Sequence, residues 1–219
     1  ATFTGLIIPN VFGPFGHPYY NSVVATFSHQ VAHGETPKIE VDGQLKLIYV
    51  GELVAEIINA IKEKKNQSSY IVNPTSEAKV SEILYLLQHY KEMYQEKGEI
   101  PVLNSTFELN IFNTFRCYMN IKDHFPVKFV QHTDPRGSFV EIIRLGVGGQ
   151  VSFSTTVPGI TRGNHFHTRK IERFAVIKQH KIRNRNWWNE RIGAERFRTK
   201  YVEPIDAAKH QLAVATFQI

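Results

Sequence analysis

Apolar residues recur every three or four positions through much of the first 120 residues, and short apolar runs separate these stretches. This pattern is typical of amphipathic helices that alternate with buried strands. It predicts helices at 20–33, 52–64, 76–95 and 103–119, and strands at 5–10, 45–50 and 70–72. Residues 11–18, rich in Gly and Pro, are expected to form a loop, and Ser76 is a candidate N-cap of the third helix. The apolar face of the second helix consists of Leu53, Ile57, Ile58 and Ile61.

The pattern changes near residues 124–126. Beyond them, Gly and Pro turns separate short runs with strand character at 139–145, 150–156, 164–167 and 172–177. Such a series of short strands is typical of a β-barrel or a jelly roll. We therefore place a domain boundary between 120 and 127, and divide the chain into 1–124 and 125–219. The expected fold class is α+β.

Composition narrows the function classes. The formal net charge is +6 and the pI is about 9.3, which suits binding of nucleic acid or of phosphorylated small molecules. Much of the excess charge lies in 178–200, around Trp187 and Trp188. Such a stretch can stack on bases, but a solvated loop or strand pair is the favoured interpretation, so we predict no nucleic-acid partner. The single cysteine, Cys117, excludes an internal disulfide framework and fits the cytoplasm. No apolar run approaches 18 residues, so no membrane association is expected.

The strongest candidate for chemistry lies in residues 158–179. His165 and His167 are two positions apart, which places both imidazoles on one face of an extended segment. Glu172 follows and can reach the same point from the next strand. Two histidines and a carboxylate with an open position suit Zn, Fe, Mn or Ni, and zinc is our prediction. A metal-free barrel that carries the same residues is the alternative.

This segment resembles the first cupin motif, Gly-x5-His-x-His-x4-Glu-x6-Gly. Every position matches except the last, where Gln179 replaces Gly. The resemblance implies that 125–219 forms an all-β cupin barrel. The segment after Tyr201 is faintly similar to the second cupin motif, although the spacing from Pro204 to His210 is one residue too long. His210 is therefore a candidate fourth metal ligand.

The first part resembles the C-terminal portion of an extended short-chain dehydrogenase/reductase, which is a Rossmann-type α/β domain. The resemblance rests on 6–14, similar to an Arg-x-x-Asn-Val-Tyr/Phe-Gly-Pro segment, and on 47–54, where Glu52 takes the acidic position. No Gly-rich cofactor turn and no Tyr-x-x-x-Lys pair occur in the chain. NADPH binding is therefore expected only if an N-terminal cofactor-binding part is present. The start of the chain inside a strand-like run suggests a partial chain.

The order of these two parts is similar to that of the CapF-like family of capsular polysaccharide enzymes, in which a reductase domain is fused to a C-terminal cupin. The resemblance covers roughly 1–178. It implies that the cupin epimerises C3 of a UDP-4-keto-6-deoxy-HexNAc, and that the reductase then reduces C4 with NADPH on the way to UDP-N-acetyl-L-fucosamine for capsule or O-antigen. It also implies a homodimer formed through the cupin. The alternative is a non-catalytic sugar-nucleotide binding or assembly subunit.

Three residues of the second part are candidates for this chemistry. His132 is a candidate base or substrate contact, because the pKa of histidine lies near working pH, and Asp134 is a candidate to orient it. Alternatively, both residues cap a strand. Arg136 suits a diphosphate because its forked donors match phosphate geometry, and its alternative role is an ion pair with Glu141.

The remaining substrate contacts are spread over both parts. Lys170 lies beside the metal motif and either contacts substrate or faces solvent. Asn10 and Asn21 are candidates for hydrogen bonds to the sugar or phosphate. Asn10 is equally consistent with a turn residue before Gly13 and Pro14.

Overall fold

The chain divides into two compact units, Ala1–Pro126 and Val127–Ile219. The computed structural model describes residues 3–146, 148–162, 172–179, 205–206 and 212–218, with side chains as far as Ile160. The division falls two residues beyond the end of the predicted 1–124 segment. Each unit is described by itself below.

The first unit combines helices with short strands. Its helices are α1 Val23–Ala32, α2 Val50–Lys62, α3 Val80–Tyr90, α4 Thr106–Arg116 and α5 Ile121–His124, and a π-helical segment, Lys91–Glu96, continues α3. Its strands are β1 Thr4–Ile7, β2 Asn10–Phe12, β3 Gln44–Tyr49, β4 Gln67–Ile71, β5 Ser76–Lys79 and β6 Glu99–Ile100. β2 pairs in parallel with β3, which pairs antiparallel with β5, and β1 pairs in parallel with β4.

Most of the first unit's apolar core lies between α1, α3 and α4. Ile83 and Leu87 of α3 and Ile111 and Phe115 of α4 are fully buried there. A second, smaller cluster of Ile48, Leu53 and Val72 joins α2 to the strands. Serine side chains cap two of the core helices: Ser22 accepts from the Ala25 amide at 3.3 Å, and Ser105 from the Glu108 amide at 3.1 Å.

Proline breaks the strand that the sequence predicts at 5–10. Pro9 has no amide hydrogen and cannot continue the pairing of β1. The chain leaves β4 after Ile7, and from Asn10 it pairs with β3 as β2. Part of the predicted loop 11–18 is therefore strand, and Asn10 lies in a strand instead of a turn.

The long helix predicted at 76–95 is also wrong at its start. Residues 76–79 form β5, in which Ser76 pairs with Leu47 of β3, so Ser76 is not an N-cap. The helix begins at Val80, where the carboxylate of Glu82 accepts a hydrogen bond of 2.8 Å from the amide of Lys79. Pairing with β3 therefore overrides the helical preference of this short segment.

Strands dominate the second unit. They are β7 Gln131–Asp134, β8 Gly137–Leu145, β9 Gln150–Thr156, β10 Thr161–Arg162, β11 Glu172–Gln179, β12 Ile205–Asp206 and β13 Leu212–Gln218. Within the unit, β11, β13, β9, β8 and β7 follow one another in an antiparallel sheet, and β10 pairs with β12. The strands predicted at 139–145, 150–156 and 172–177 are confirmed, whereas 164–167 lies outside the described residues.

No helix in the described part of the chain is both long enough and apolar enough to cross a bilayer.

Candidate functional site

A cleft of about 690 Å³ opens in the first unit between β2, β3 and the start of α1. It brings together Asn10 and Asn21, the two residues of the first part that are predicted as substrate contacts. The cleft is lined by Asn10, Val11, Tyr19, Asn21, Ser22, Val23, Val24, Thr26, Phe27, Glu40, Leu45 and Leu47. A side-chain amide from a strand and another from the loop before a helix therefore face one cavity.

Parallel pairing positions Asn10. Asn10 pairs in register with Leu47 of β3, and its side-chain Nδ2 donates a hydrogen bond of 3.3 Å to the carbonyl of Lys46. Directly after the end of β2, Gly13 packs against Tyr49 and Val50, where a Cβ would collide with the Val50 side chain. The Asn-Val-Phe-Gly segment therefore needs glycine for close packing, and its asparagine reaches the cleft.

The loop before α1 holds unusual backbone conformations. Tyr19 and Asn21 have φ values of 60° and 49°, in the left-handed region that asparagine tolerates and tyrosine rarely adopts. Three hydrogen bonds hold the loop: the Tyr19 amide donates to Thr26 Oγ1 at 2.9 Å, its hydroxyl donates to Glu35 Oε2 at 2.6 Å, and Tyr118 donates to the Gly16 carbonyl at 2.6 Å. The hydrogen bond to Glu35 raises the pKa of the Tyr19 phenol. The cleft rim is therefore fixed by strained but well-anchored residues.

The positive end of α1 faces the cleft. Ser22, Val23 and Val24, its N-cap and first residues, line the cavity, and the first turn of the helix carries no acidic residue. The free amides of a helix N-terminus attract anions. The cleft therefore combines two amide side chains and a helix N-terminus with one carboxylate, that of Glu40.

In the second unit, His132 and Asp134 lie on β7, opposite Phe139 and Gly137 of β8. Because strand side chains alternate, the two residues share a face of the strand and are about 7 Å apart along it. All four residues of β7 are exposed. The hairpin therefore presents both side chains to solvent.

Arg136 forms its ion pair with Asp134. The Arg136 amide donates to Asp134 Oδ1 at 2.8 Å, and its Nε and Nη2 donate to Oδ2 at 2.9 and 2.6 Å. Hydrogen bonding of the guanidinium to the Asp134 side chain raises the pKa of Arg136. Glu141 instead accepts from Arg144 at 2.6 Å and from Gln150 at 3.0 Å. The alternative role of Arg136 as a partner of Glu141 is therefore wrong. The proposed orientation of His132 by Asp134 stays a prediction.

The predicted metal ligands fall mainly outside the described residues. This applies to His165, His167 and His210, and also to the predicted substrate contact Lys170. Glu172 is the first residue of β11 and pairs with Gln218 of β13, but its side chain is not described. Among the described residues, no group of three or more His, Cys, Asp or Glu side chains is arranged to hold a metal ion.

Comparisons with known proteins bear on both units. A family model for the polysaccharide biosynthesis C-terminal domain matches residues 132–212, which contain every candidate residue of the second unit. The chain is 33% identical over 173 residues to the UDP-2-acetamido-2,6-beta-L-arabino-hexul-4-ose reductase of Pseudomonas aeruginosa strain PA103. Its fold matches the crystal structure of the capsular polysaccharide assembling protein CapF from Staphylococcus aureus over 97% of this chain, with a TM-score of 0.71 and 27% identity. This chain is CapF-like.

A second crystal structure, of CapF with the inhibitor 3-isopropenyl-tropolone, matches 97% of the CapF-like chain with a TM-score of 0.68 and 28% identity. The CapF-like chain spans 46% of the length of the Pseudomonas reductase and 61% of the length of the Staphylococcus CapF chain. The matched region of the reductase covers 78% of the CapF-like chain.

Several residues of the cleft are not predicted from the sequence. Ser22 precedes an apolar run, and this N-cap signal was available in the sequence. Tyr19 and Glu40 carry no local signal, because only the folded backbone brings them to Asn10. Glu52, which takes the acidic position of the reductase-like motif, has a structural role: it accepts from the Tyr49 amide at 3.1 Å and from the Thr75 hydroxyl at 2.5 Å.

Proposed function

We propose that this chain belongs to a nucleotide-sugar pathway for capsule or O-antigen and acts on a UDP-4-keto-6-deoxy-HexNAc. The second unit epimerises C3, and C4 is reduced with NADPH by a full-length reductase domain, on the way to UDP-N-acetyl-L-fucosamine. The cleft carries the proposal, because Asn10, Asn21 and a helix N-terminus without an acidic residue in its first turn all line it, in a chain similar to a UDP-sugar reductase. The protein acts in the cytoplasm as a homodimer formed through the second unit.

In this proposal the first unit is the C-terminal portion of a Rossmann-type reductase domain. The parallel pairs β1–β4 and β2–β3, connected through helices, support that assignment. The second unit is a cupin barrel, and its antiparallel order of short strands supports that assignment.

The cleft binds the nucleotide sugar through its anionic and hydroxyl groups. The first amides of α1 take the diphosphate, because the helix dipole and free N–H groups favour negative charge. Asn10 and Asn21 donate to the phosphate or the sugar. Glu40 also lines the cleft, and its carboxylate accepts hydrogen bonds from ribose or sugar hydroxyls.

The chemical step in the second unit is a proton transfer at C3. The C4 ketone of the substrate acidifies the C3 hydrogen, and His132 takes that proton as general base. Nε and Nη2 of Arg136 donate hydrogen bonds to Asp134. The remaining N–H groups of its guanidinium contact the diphosphate. Return of a proton to the opposite face of C3 completes the inversion.

The donor set of His165, His167 and Glu172, with His210 as a fourth ligand, fits a divalent metal such as zinc. A bound metal of this kind supplies Lewis-acid charge close to the substrate ketone. The tropolone inhibitor found with one CapF neighbour is consistent with such a site, because tropolone carries adjacent oxygen donors. Lys170 lies in the same stretch of sequence and contacts the substrate.

The test is exchange of the C3 hydrogen of UDP-4-keto-6-deoxy-HexNAc with solvent deuterium, followed by NMR. The wild-type chain should catalyse exchange, and His132→Asn should slow it by about 10²- to 10⁴-fold. The matched control is His89→Asn, which removes a half-buried histidine of α3 in the first unit and should leave the rate unchanged. An unchanged rate in His132→Asn would assign the base to another residue.

The second candidate function is a non-catalytic sugar-nucleotide binding or assembly subunit. The cleft favours this binding function, because all of its lining residues belong to the first unit and nucleotide binding in it does not require the second unit. Under this alternative the chain binds UDP but catalyses no exchange, and Asn21→Ala lowers its affinity for UDP. Asn59→Ala, at an exposed position of α2 away from the cleft, is the control for that titration.

A further inference from the structure

A cluster of aromatic rings lies at the C-terminal half of α1, and His29 is at its centre. His29 is half-buried. The ring of Tyr19 meets it edge-on at 5.7 Å between centroids, and the ring of Tyr118, just past the end of α4, meets it edge-on at 6.5 Å. The ring of His33, one turn along the helix, lies 4.1 Å from that of His29, with 33° between the two planes. His29 therefore connects the loop before α1, the helix itself and the end of α4.

The two tyrosines of this cluster also hold the loop that forms the rim of the cleft. The Tyr19 hydroxyl donates to Glu35 and the Tyr118 hydroxyl to the Gly16 carbonyl, each at 2.6 Å. A Cβ on Gly16 would lie 3.2 Å from the Tyr118 oxygen, so the loop packs tightly against this side chain. The left-handed backbone of Tyr19 persists only where the surrounding contacts enforce it. Loosening of the cluster should therefore release the rim, which also carries Asn21.

Both histidines of the cluster can gain charge. Nδ1 of His33 lies 2.8 Å from the carbonyl oxygen of His29, so Nδ1 of the neutral ring carries the hydrogen and Nε2 is left to take a proton. Histidines titrate between about pH 8 and about pH 5. The C-terminal end of a helix favours one positive charge, but the first charge repels a second one on the facing ring. Acid therefore opposes the close arrangement of His29 and His33.

The surroundings of the pair offer little to offset a second positive charge. The carboxylate of Glu35 already accepts the Tyr19 hydroxyl. Lys91 of the π-helical segment adds a positive charge beside the end of α1, because its Nζ would be 3.8 Å from a Cβ on Gly34, and it pairs with Glu96 at 3.8 Å. Titratable groups on the elements that pack against α1 also include His89 and Tyr90 of α3, Tyr94 of the π-helical segment, and Cys117 and Tyr118 after α4.

We propose that the His29–His33 pair makes the anchor of the cleft rim sensitive to acid. When both rings carry a proton they separate, Tyr19 loses its contact with His29, and the rim that presents Asn21 to the cleft loosens. The consequence for a ligand rests on the proposed function, in which this cleft is the nucleotide site. Nucleotide affinity should then fall with the pH through the range in which histidine titrates, because only the anchored rim is competent to bind.

Titration calorimetry with UDP at about pH 7.5 and about pH 5.5 tests this consequence. On acidification, the dissociation constant of the wild type should rise about 10-fold more than that of His33→Gln, in which the pair cannot charge twice. His33 is exposed, so the variant should fold and should bind UDP as the wild type does at the higher pH. Comparison of two proteins removes the titration of UDP itself. The matched control, His89→Gln, removes a half-buried histidine of α3 and should keep the wild-type response.

A second readout needs no ligand. In ¹H–¹⁵N NMR spectra, the amide signals of Tyr19, Asn21 and Ser22 should shift or broaden between the same two pH values in the wild type and stay in place in His33→Gln. This response without any UDP binding would support the acid-sensitive anchor and contradict the proposed function. Amides that respond alike in the wild type and His33→Gln would overturn the inference. Loss of the response in Glu35→Gln would also overturn it, because the proton would then act at that carboxylate.

Discussion

The two units differ in what holds them together. In the first unit, α1, α3 and α4 enclose fully buried side chains such as Ile111 and Phe115. In the described part of the second unit, the buried residues are polar, Ser152 and Thr156, and most side chains of β7 and β8 are exposed or half-buried. The first unit therefore has the apolar core of an independent domain, whereas no large apolar side chain is buried among the described residues of the second unit. In the proposed function, a metal centre and pairing with a second copy add stability to the second unit.

The largest expected effect follows from removing the metal. Purified protein should contain close to one metal ion per chain, and His167→Ala should contain almost none, because loss of one ligand destroys a three- or four-ligand site. The second unit should also unfold at lower temperature in the variant or after chelation, because metal binding contributes directly to folding free energy.

The two units can be followed separately in this experiment. Both tryptophans, Trp187 and Trp188, lie in the second unit, so tryptophan fluorescence is a signal from that unit alone. Every helix of the described residues lies in the first unit, so circular dichroism at 222 nm reports that unit. Chelation should shift the fluorescence transition and leave the helical transition in place. Wild-type protein that is metal-free after mild purification would contradict the metal site.

A smaller effect tests the core of the first unit. Phe115 is fully buried in α4, and Phe115→Ala should lower the free energy of unfolding by about 3–5 kcal/mol through lost burial and a cavity. Phe129→Ala makes the same chemical change at a residue of the second unit that is half exposed, and should cost about 0.5 kcal/mol or less. Urea unfolding followed at 222 nm measures the first change. Similar losses in the two variants would show that the units do not differ in this way.

The same contrast explains how far the sequence predicts the structure. The helices predicted at 20–33, 52–64 and 103–119 are confirmed as α1, α2 and α4, because helical periodicity and caps such as Ser105 are local signals. The strand at 76–79 is not predicted, because only its pairing with β3 makes it a strand. Periodicity predicts that Ile58 and Ile61 of α2 belong to its apolar face, but it does not show that they are exposed.

Site prediction had the same limits. The sequence predicts Asn10 and Asn21 as contacts to the sugar or phosphate without showing that they are close together, and the fold brings them to one cleft. The alternative role predicted for Arg136, an ion pair with Glu141, is wrong because the sequence does not reveal the turn in which Asp134 accepts a hydrogen bond from the Arg136 amide. The predicted metal ligands His165, His167 and Glu172, by contrast, are close together in the sequence, so their spacing can be recognised without the fold. Measurement of the metal content tests this prediction.

The smallest expected effect concerns the pH dependence of the first unit. Tyr90 is buried in the core, and its hydroxyl donates a hydrogen bond of 3.2 Å to the carbonyl of Glu108. Burial raises the pKa of the Tyr90 phenol above the value of 10.0 that it has when exposed. The folded chain therefore holds this proton more tightly than the unfolded chain does. The stabilisation is fully present below pH 10 and is lost as the pH rises above it.

Tyr90→Phe should cost about 1 kcal/mol at pH 7, because the hydrogen bond is lost and the Glu108 carbonyl loses that donor. Above pH 10 the variant should lose less stability than the wild type, since phenylalanine has no proton to release. Tyr85→Phe, at an exposed position of the same helix, is the matched control and should keep the alkaline loss of the wild type. Urea unfolding between pH 7 and pH 11, followed at 222 nm, measures the slope for each protein. Equal slopes in Tyr90→Phe and the wild type would show that Tyr90 is not the group that makes the helical core sensitive to alkali.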